Sequence, residues 1–150
     1  MTCTIVMTER VPTAVVKVDA LMNKLPEMQR AARSTLAAVV PTLDAGPLGL
    51  TCTRWRPPAN GALAMEPGMI VSKAFAPTRG VVPSELPEGR AAHHGLKGPF
   101  DGLPAAWKIL FDWCAAENLK LAGVNWEIYG ASHPDPAPAQ QETSLYALLA

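Results

Sequence analysis

The chain has 150 residues, 49% hydrophobic and 17% charged, and its 13 basic and 13 acidic residues cancel to no net charge. This composition is typical of one globular domain with a sizeable core and excludes a disordered chain. Without net positive charge or a run of Lys or Arg, binding of nucleic acid or of anionic lipid by the chain itself is not expected.

The N-terminus and the cysteines indicate a soluble, cytoplasmic protein. Glu9 and Arg10 follow the N-terminus closely and no long apolar run is present, so we expect no signal peptide and no membrane span. Cys3, Cys52 and Cys114 are odd in number and scattered. They therefore predict neither a disulfide framework nor a zinc site, and they suit a reducing compartment.

The first half of the chain predicts one strand, one helix and two further strands. The strands are expected over residues 11–18, 48–55 and 65–75. The helix begins at Leu25-Pro26, where proline suits the first turn, and Pro41 ends the helical spacing of apolar residues.

The second half repeats this order. Strands are expected over residues 90–96, 124–131 and 143–149, and a helix begins at Leu103-Pro104 with Asp101 as an upstream cap. An apolar stripe along that helix carries Trp107, which is more often a core position than a ligand platform.

The Leu-Pro helix starts lie 78 residues apart, at Leu25 and Leu103, which indicates an internal repeat. We predict an α+β fold in a single domain over residues 1–150. Two pseudo-symmetric strand-helix-strand-strand repeats, about 1–76 and 81–150, would share an antiparallel sheet with both helices on one face. A cleft between repeats is a natural ligand site, and the alternative is that side chains fill it.

Residues 124–129, Val-Asn-Trp-Glu-Ile-Tyr, form the most informative predicted strand. Because strand residues alternate faces, Glu127 shares a face with Asn125 and Tyr129, while Trp126 and Ile128 point the other way. A carboxylate buried among aromatics needs a cation or hydrogen-bond donors. Glu127 is therefore a candidate binding or catalytic group, unless it is an edge-strand glutamate that reaches water.

Other chemistries have little support in the sequence. His93 and His94 are adjacent on a strand, so they cannot hold one metal ion together, and His133 lies in a proline-rich loop. Cys52 is on a strand that could face the cleft, but no motif activates its thiol. No glycine loop has the context of a nucleotide site. We expect no metal and no cofactor.

Several short motifs together resemble the second half of GyrI-like effector-binding domains, which are ligand-sensing modules of some bacterial transcription activators and of stand-alone proteins. They are a Gly-Pro-Phe turn over 98–100, the pair Ala106-Trp107 and the Glu-Ile-Tyr strand over 127–129. The resemblance is good over 81–150 and looser before it, where it rests on 11–12 and 66–71. Phe100 departs from the family's usual tyrosine, so a hydroxyl donor is missing there.

The resemblance implies a cleft for hydrophobic, aromatic or cationic small molecules, with site residues that follow from the matching motifs. Glu127 would be the polar anchor and Tyr129 its neighbour on the same face. Phe100 and Trp107 would form cleft walls, and Trp55 the opposite wall by the internal repeat. Phe100 has the alternative role of a hydrophobic staple at the helix start.

Three functions remain open from the sequence. The leading one is a cytoplasmic small-molecule-binding protein without nucleic-acid or membrane partners of its own. The alternative is a hydrolase that uses Glu127 to open reactive, cyclopropane-type xenobiotics, as described for some stand-alone relatives. The third is a protein-interaction module, such as an inhibitor of an enzyme.

Overall fold

The computed structural model describes residues 2–59, 62–130 and 141–150, and within these ranges it contains two α-helices and nine strands. In chain order the elements are β1 Cys3–Thr8, β2 Val11–Val15, β3 Val18–Ala20, α1 Leu25–Val39, β4 Pro47–Ala59, β5 Ala62–Val71, β6 Val82–Leu86, β7 Gly89–Lys97, α2 Leu103–Ala116, β8 Leu121–Gly130 and β9 Glu142–Leu149. His133 and the last residue of the predicted strand 124–131 lie outside the described ranges.

Both helices begin at their Leu-Pro pairs, as predicted, because the missing amide proton of proline costs nothing in the first helical turn. The predicted capping role of Asp101 is wrong. Asp101 lies inside a short 3-10 helix, Phe100–Gly102, that runs directly into α2, and no side chain caps the helix. The backbone before α2 is already helical, so the extended geometry that a capping side chain requires is absent.

All strands belong to one antiparallel sheet in the order β1-β7-β9-β8-β4-β5-β2-β6, with β3 pairing beside β2 on β5. The two halves of the chain meet at the central pair β4 and β8, where Thr53 lies opposite Glu127. Contacts from α1 to Thr53 and from α2 to Glu127 place both helices on one face of the sheet. The predicted α+β architecture is therefore confirmed.

Two strands, β1 and β6, were not predicted, and each pairs with a strand from the other half of the chain. The N-terminal β1 pairs with β7 of the second half, and β6 pairs with β2 of the first half. Short turns connect β1 to β2 and β6 to β7, which lie at opposite ends of the strand order. The sheet must therefore curl until its two ends approach each other at these turns. Pro83 weakened the strand signal of β6, but proline is tolerated because β6 is an edge strand.

The core has layers on both faces of the sheet. Beneath the helices, Leu36 of α1 and Leu110 of α2 are fully buried in separate clusters. On the opposite face, inside the curl, Trp126 and Leu86 belong to a third cluster. Neither helix in the described part of the chain is long and apolar enough to span a bilayer.

Candidate functional site

Glu127 lies on β8 with its side chain on the helix-facing side of the sheet and is only 3% exposed. Tyr129, two residues along, is on the same face, whereas Trp126 packs into the cluster on the other face. The alternation expected from the sequence is therefore confirmed. The alternative that Glu127 reaches water at a sheet edge is wrong, because β8 lies between β4 and β9 in the middle of the sheet.

Two neutral groups hydrogen-bond the buried carboxylate of Glu127. The indole Nε1–H of Trp107 donates to Oε2 at 2.6 Å, and the Tyr129 hydroxyl donates to Oε1 at 2.6 Å. Hydrogen bonds to an ionised acceptor are among the stronger ones, and they offset part of the cost of removing the carboxylate from water. Among the described residues no Lys or Arg forms an ion pair with Glu127.

A chain of hydroxyls links Glu127 to a cation on the other helix. The Tyr129 oxygen lies 2.8 Å from Thr53 Oγ1, which accepts hydrogen bonds from Arg33 Nη2 at 2.9 Å and from Gln29 Nε2 at 3.2 Å. Each hydroxyl has one proton, and Tyr129 donates its proton to the carboxylate. Thr53 therefore donates to Tyr129, and every hydrogen bond in the chain points from Arg33 toward Glu127.

Arg33 joins α1 to the sheet through this chain and through two further contacts. Its Nη1 donates to the Gly68 carbonyl at 2.8 Å and its Nη2 to the Cys52 carbonyl at 2.7 Å. The guanidinium carbon also lies 5.4 Å from the centre of the Tyr129 ring, within cation–π range. Arg33 thus fixes the position of Tyr129 while its charge stays two hydroxyls away from Glu127.

The hydrogen-bonded group of Glu127, Tyr129, Thr53 and Arg33 forms a polar centre, and the residues around it reflect the internal repeat. Gln29 comes four residues after Leu25, and Trp107 comes four residues after Leu103. Each donates a side-chain N–H to one member of the Thr53–Glu127 pair, where the two central strands meet. A pseudo-twofold axis therefore passes close to this pair, with a charged residue on one side and a neutral one on the other.

The remaining predicted wall residues surround this centre to different extents. Phe100 packs its ring edge-on against Tyr129, with centroids 5.4 Å apart, and is 48% exposed. Trp107 is half-buried and stacks on Phe111, so it serves the core and the carboxylate together. Trp55 is on the same sheet face as Thr53, but it packs into a cluster with α1. Its role as the opposite wall stays a prediction.

Cys52 does not lie on the same face of the sheet as Glu127. Its side chain packs with Trp126 on the opposite face, and burial raises the pKa of the thiol to about 12. It is therefore protonated at neutral pH and unsuited to nucleophilic chemistry. In the described ranges no three His, Cys, Asp or Glu side chains converge on a position that would hold a metal ion.

Sequence reasoning missed Thr53, Arg33 and Gln29 as members of the site. One signal was present for Gln29, which occupies the same place after Leu25-Pro26 that Trp107 occupies after Leu103-Pro104. Thr53 gave no signal of its own, since its role depends on the register between β4 and β8.

Tyr129 should make stability sensitive to alkali. Burial and the adjacent Glu127 charge raise its pKa well above the usual value of 10. The folded protein keeps this proton while an unfolded chain releases it, so wild-type stability falls above pH 10. In Tyr129→Phe that contribution is absent, and the loss per pH unit above pH 10 should be smaller by about 1.4 kcal/mol.

Urea unfolding of wild type and Tyr129→Phe between pH 8 and pH 11 measures this difference. Tyr146, the other tyrosine of the chain, is on the opposite face, and Tyr146→Phe is the control. Equal alkaline slopes for wild type and Tyr129→Phe would show that the hydroxyl is not held by the carboxylate.

Comparison with known proteins assigns the chain to a family. The profile of the GyrI-like small molecule binding domain matches residues 4–149. No curated protein sequence shows significant similarity to the chain.

Solved structures with the same fold are distant in sequence. The C-terminal domain of EcmrR is 13% identical with a TM-score of 0.78, over 99% of this chain and 97% of that one. SAV2435 bound to tetraphenylphosphonium is 10% identical with a TM-score of 0.74, over 100% of this chain and 94% of that one. A hydrolase encoded by lin2189 from Listeria innocua is 13% identical with a TM-score of 0.64, over 99% and 91%.

At these identities the structural likeness establishes the fold alone, whereas the profile match spans nearly the whole chain. The chain therefore belongs to the GyrI-like family of small molecule binding domains.

Proposed function

We propose that the protein binds hydrophobic, aromatic cations in the helix-facing cleft, with Glu127 as the charged anchor. The observation that carries this proposal is a buried carboxylate whose hydrogen-bond partners, Trp107 and Tyr129, are neutral. Such a carboxylate is satisfied geometrically but keeps its negative charge. A ligand cation would supply the missing opposite charge.

Exclusion of water from Glu127, which is 3% exposed, strengthens that attraction. Two opposite charges attract far more in a partly desolvated site than in water, where the dielectric constant is high. The aromatic rings of Trp107, Tyr129 and Phe100 add cation–π attraction and apolar contact area. An organic cation with aromatic substituents would use both features. A small hydrated metal cation would lose more hydration free energy than it gains from contact with the site.

The ligand must displace something to reach the carboxylate, since Glu127 is 3% exposed. Phe100 is 48% exposed and precedes α2 in a short 3-10 helix, so its movement breaks little packing. Trp107 covers the carboxylate directly, and its movement costs one hydrogen bond. We therefore propose that Phe100 and Trp107 form the entrance of the cleft.

The hydrolase alternative has weaker support. A general base must accept a proton from water or substrate, but both oxygens of Glu127 already accept hydrogen bonds of 2.6 Å. A proton from substrate or water would therefore compete with Trp107 and Tyr129 for these oxygens. The arrangement suits recognition of charge better than proton transfer.

A pair of probes with the same shape and opposite charge tests the proposal. We expect tetraphenylphosphonium to quench the intrinsic tryptophan fluorescence with saturation in the micromolar range. Tetraphenylborate should bind at least tenfold more weakly, because the carboxylate repels it. Equal affinity for the two probes, or no binding of either, would contradict a site selected by charge.

A further inference from the structure

We propose a second binding pocket, on the face of the sheet opposite Glu127, for a small fused-ring aromatic amine. A cavity of about 300 Å³ lies there, inside the curl of the sheet. Its lining residues come from both ends of the strand order and include Val6, Glu9, His93, Trp126, Ile128 and Tyr146.

The cavity is built by the turns that bring the two ends of the sheet together. The β1–β2 turn contributes Glu9, and the β6–β7 turn contributes Pro87. The Thr8 hydroxyl lies 3.0 Å from the Pro87 carbonyl oxygen and 3.1 Å from that of Gly89, so it fastens one turn to the other. The mouth of the pocket is therefore held in place before any ligand arrives.

Three aromatic rings in a row form one wall, across β8, β9 and β7. Trp126 and Tyr146 are nearly parallel, with centroids 5.2 Å apart and planes at 9°, and His93 follows Tyr146 at 4.9 Å. Trp126 is 2% exposed and so cannot readily reorient. A rigid aromatic wall favours a flat aromatic ligand in stacked or edge-to-face contact.

The charges of the lining favour a cationic ligand. Glu9 is the one lining residue with a formal charge at neutral pH. Burial and the neighbouring His94 lower the pKa of His93, so its imidazole is neutral at pH 7. Arg10, the next residue after Glu9, is directed toward Glu85, with 3.9 Å between Nε and Oε2.

The cavity is too small for the ligands proposed for the Glu127 site. At the packing density of proteins it takes roughly 10–15 non-hydrogen atoms, the size of two fused rings with a short amine arm. Tetraphenylphosphonium, with four phenyl groups around one atom, is too large. The two sites lie back to back, because Trp126 and Ile128 alternate along β8 with Glu127 and Tyr129.

Methyl NMR of the four isoleucines, Ile5, Ile70, Ile109 and Ile128, tests the proposal with tryptamine as the probe. We expect saturable shifts of the Ile128 methyl and nuclear Overhauser contacts from the indole protons to it, with Ile5 and Ile109 unchanged. Indole-3-acetate, which has the same ring and a negative charge, should bind at least tenfold more weakly.

Two variants locate the site. Val6→Phe fills the cavity and should lower the tryptamine affinity at least tenfold, whereas Ile5→Phe, on the outer side of β1, should leave it unchanged. Glu9→Gln, at an exposed position, should bring tryptamine and indole-3-acetate closer in affinity without disturbing the fold.

Saturation with tetraphenylphosphonium, or the change Glu127→Gln, should not affect tryptamine binding. Competition between the two probes would place tryptamine in the Glu127 cleft and overturn the second pocket. Absence of Ile128 shifts at millimolar tryptamine, or equal binding of the anionic probe, would also overturn the proposal as stated.

Discussion

Replacement of Glu127 by glutamine should lower the affinity for tetraphenylphosphonium about 30-fold, which corresponds to about 2 kcal/mol. Glutamine keeps the size of the side chain and an oxygen that accepts from Trp107, so the main change is the loss of negative charge. Tetraphenylborate should bind to the variant no more weakly than to wild type. Calorimetric or fluorescence titration of both probes measures the effect.

Glu66 offers a matched control. It is a carboxylate 2% exposed, on the opposite face of the sheet, and it accepts hydrogen bonds from Arg56 and Ser84 at 2.7 and 2.6 Å. Glu66→Gln makes the same chemical change at equal burial and should leave tetraphenylphosphonium affinity unchanged. A similar loss in both variants would mean that Glu127 acts through stability and not through contact with the ligand.

Comparison of wild type with Glu127→Gln also tests the hydrolase alternative. If Glu127 were a general acid or base, wild type would convert a cyclopropane-containing electrophile to product. Turnover would then fall about 10²–10⁴-fold in Glu127→Gln. We expect binding without turnover, which product analysis by mass spectrometry would verify.

Replacement of Arg33 by methionine should destabilise the protein by about 2–4 kcal/mol. Methionine retains much of the apolar stem but removes the donors to the carbonyls of Gly68 and Cys52 and to the Thr53 hydroxyl. Hydrogen bonds from a charged group are each worth more than neutral ones, and two carbonyls and one hydroxyl each lose a charged donor together. Urea unfolding at pH 7 measures the loss.

Arg30→Met is the control, because Arg30 is one turn earlier on α1 and is exposed, so its loss should cost no more than about 0.5 kcal/mol. Arg33→Lys should recover little, since an ammonium group does not reproduce the planar fork that reaches two strands at once. Equal stability of Arg33→Met and Arg30→Met would mean that α1 does not depend on Arg33 for its attachment to the sheet.

Local sequence signals predicted the features that depend on short stretches of chain. Proline at the start of each helix and the alternation along β8 placed α1, α2 and the face of Glu127 correctly. The repeat of the Leu-Pro starts predicted the sharing of one sheet between two halves. The helix starts and the face of Glu127 follow from residues within about one helix or strand length of each other, and the repeat follows from comparing two such short stretches.

Features that depend on distant pairing could not be predicted in this way. β1 is a strand because it pairs with β7, some 85 residues later in the chain. β6 is a strand because it pairs with β2 in the first half of the chain. Predicted strand 11–18 is divided into β2 and β3, and strand 65–75 ends at Val71. Thr53 and Arg33 joined the site through the register of β4 with β8, which no local pattern encodes.

The pairing of Thr53 with Glu127 across the pseudo-twofold axis makes the centre of the sheet asymmetric in charge. The second repeat contributes an anion to this centre, whereas the first contributes a hydroxyl that accepts a hydrogen bond from an arginine. An elongated cation that binds at this centre as proposed should therefore lie in one orientation only, with its charged end toward the second repeat. The two repeats therefore share a framework of strands and a helix but differ in the charge that each places at the centre.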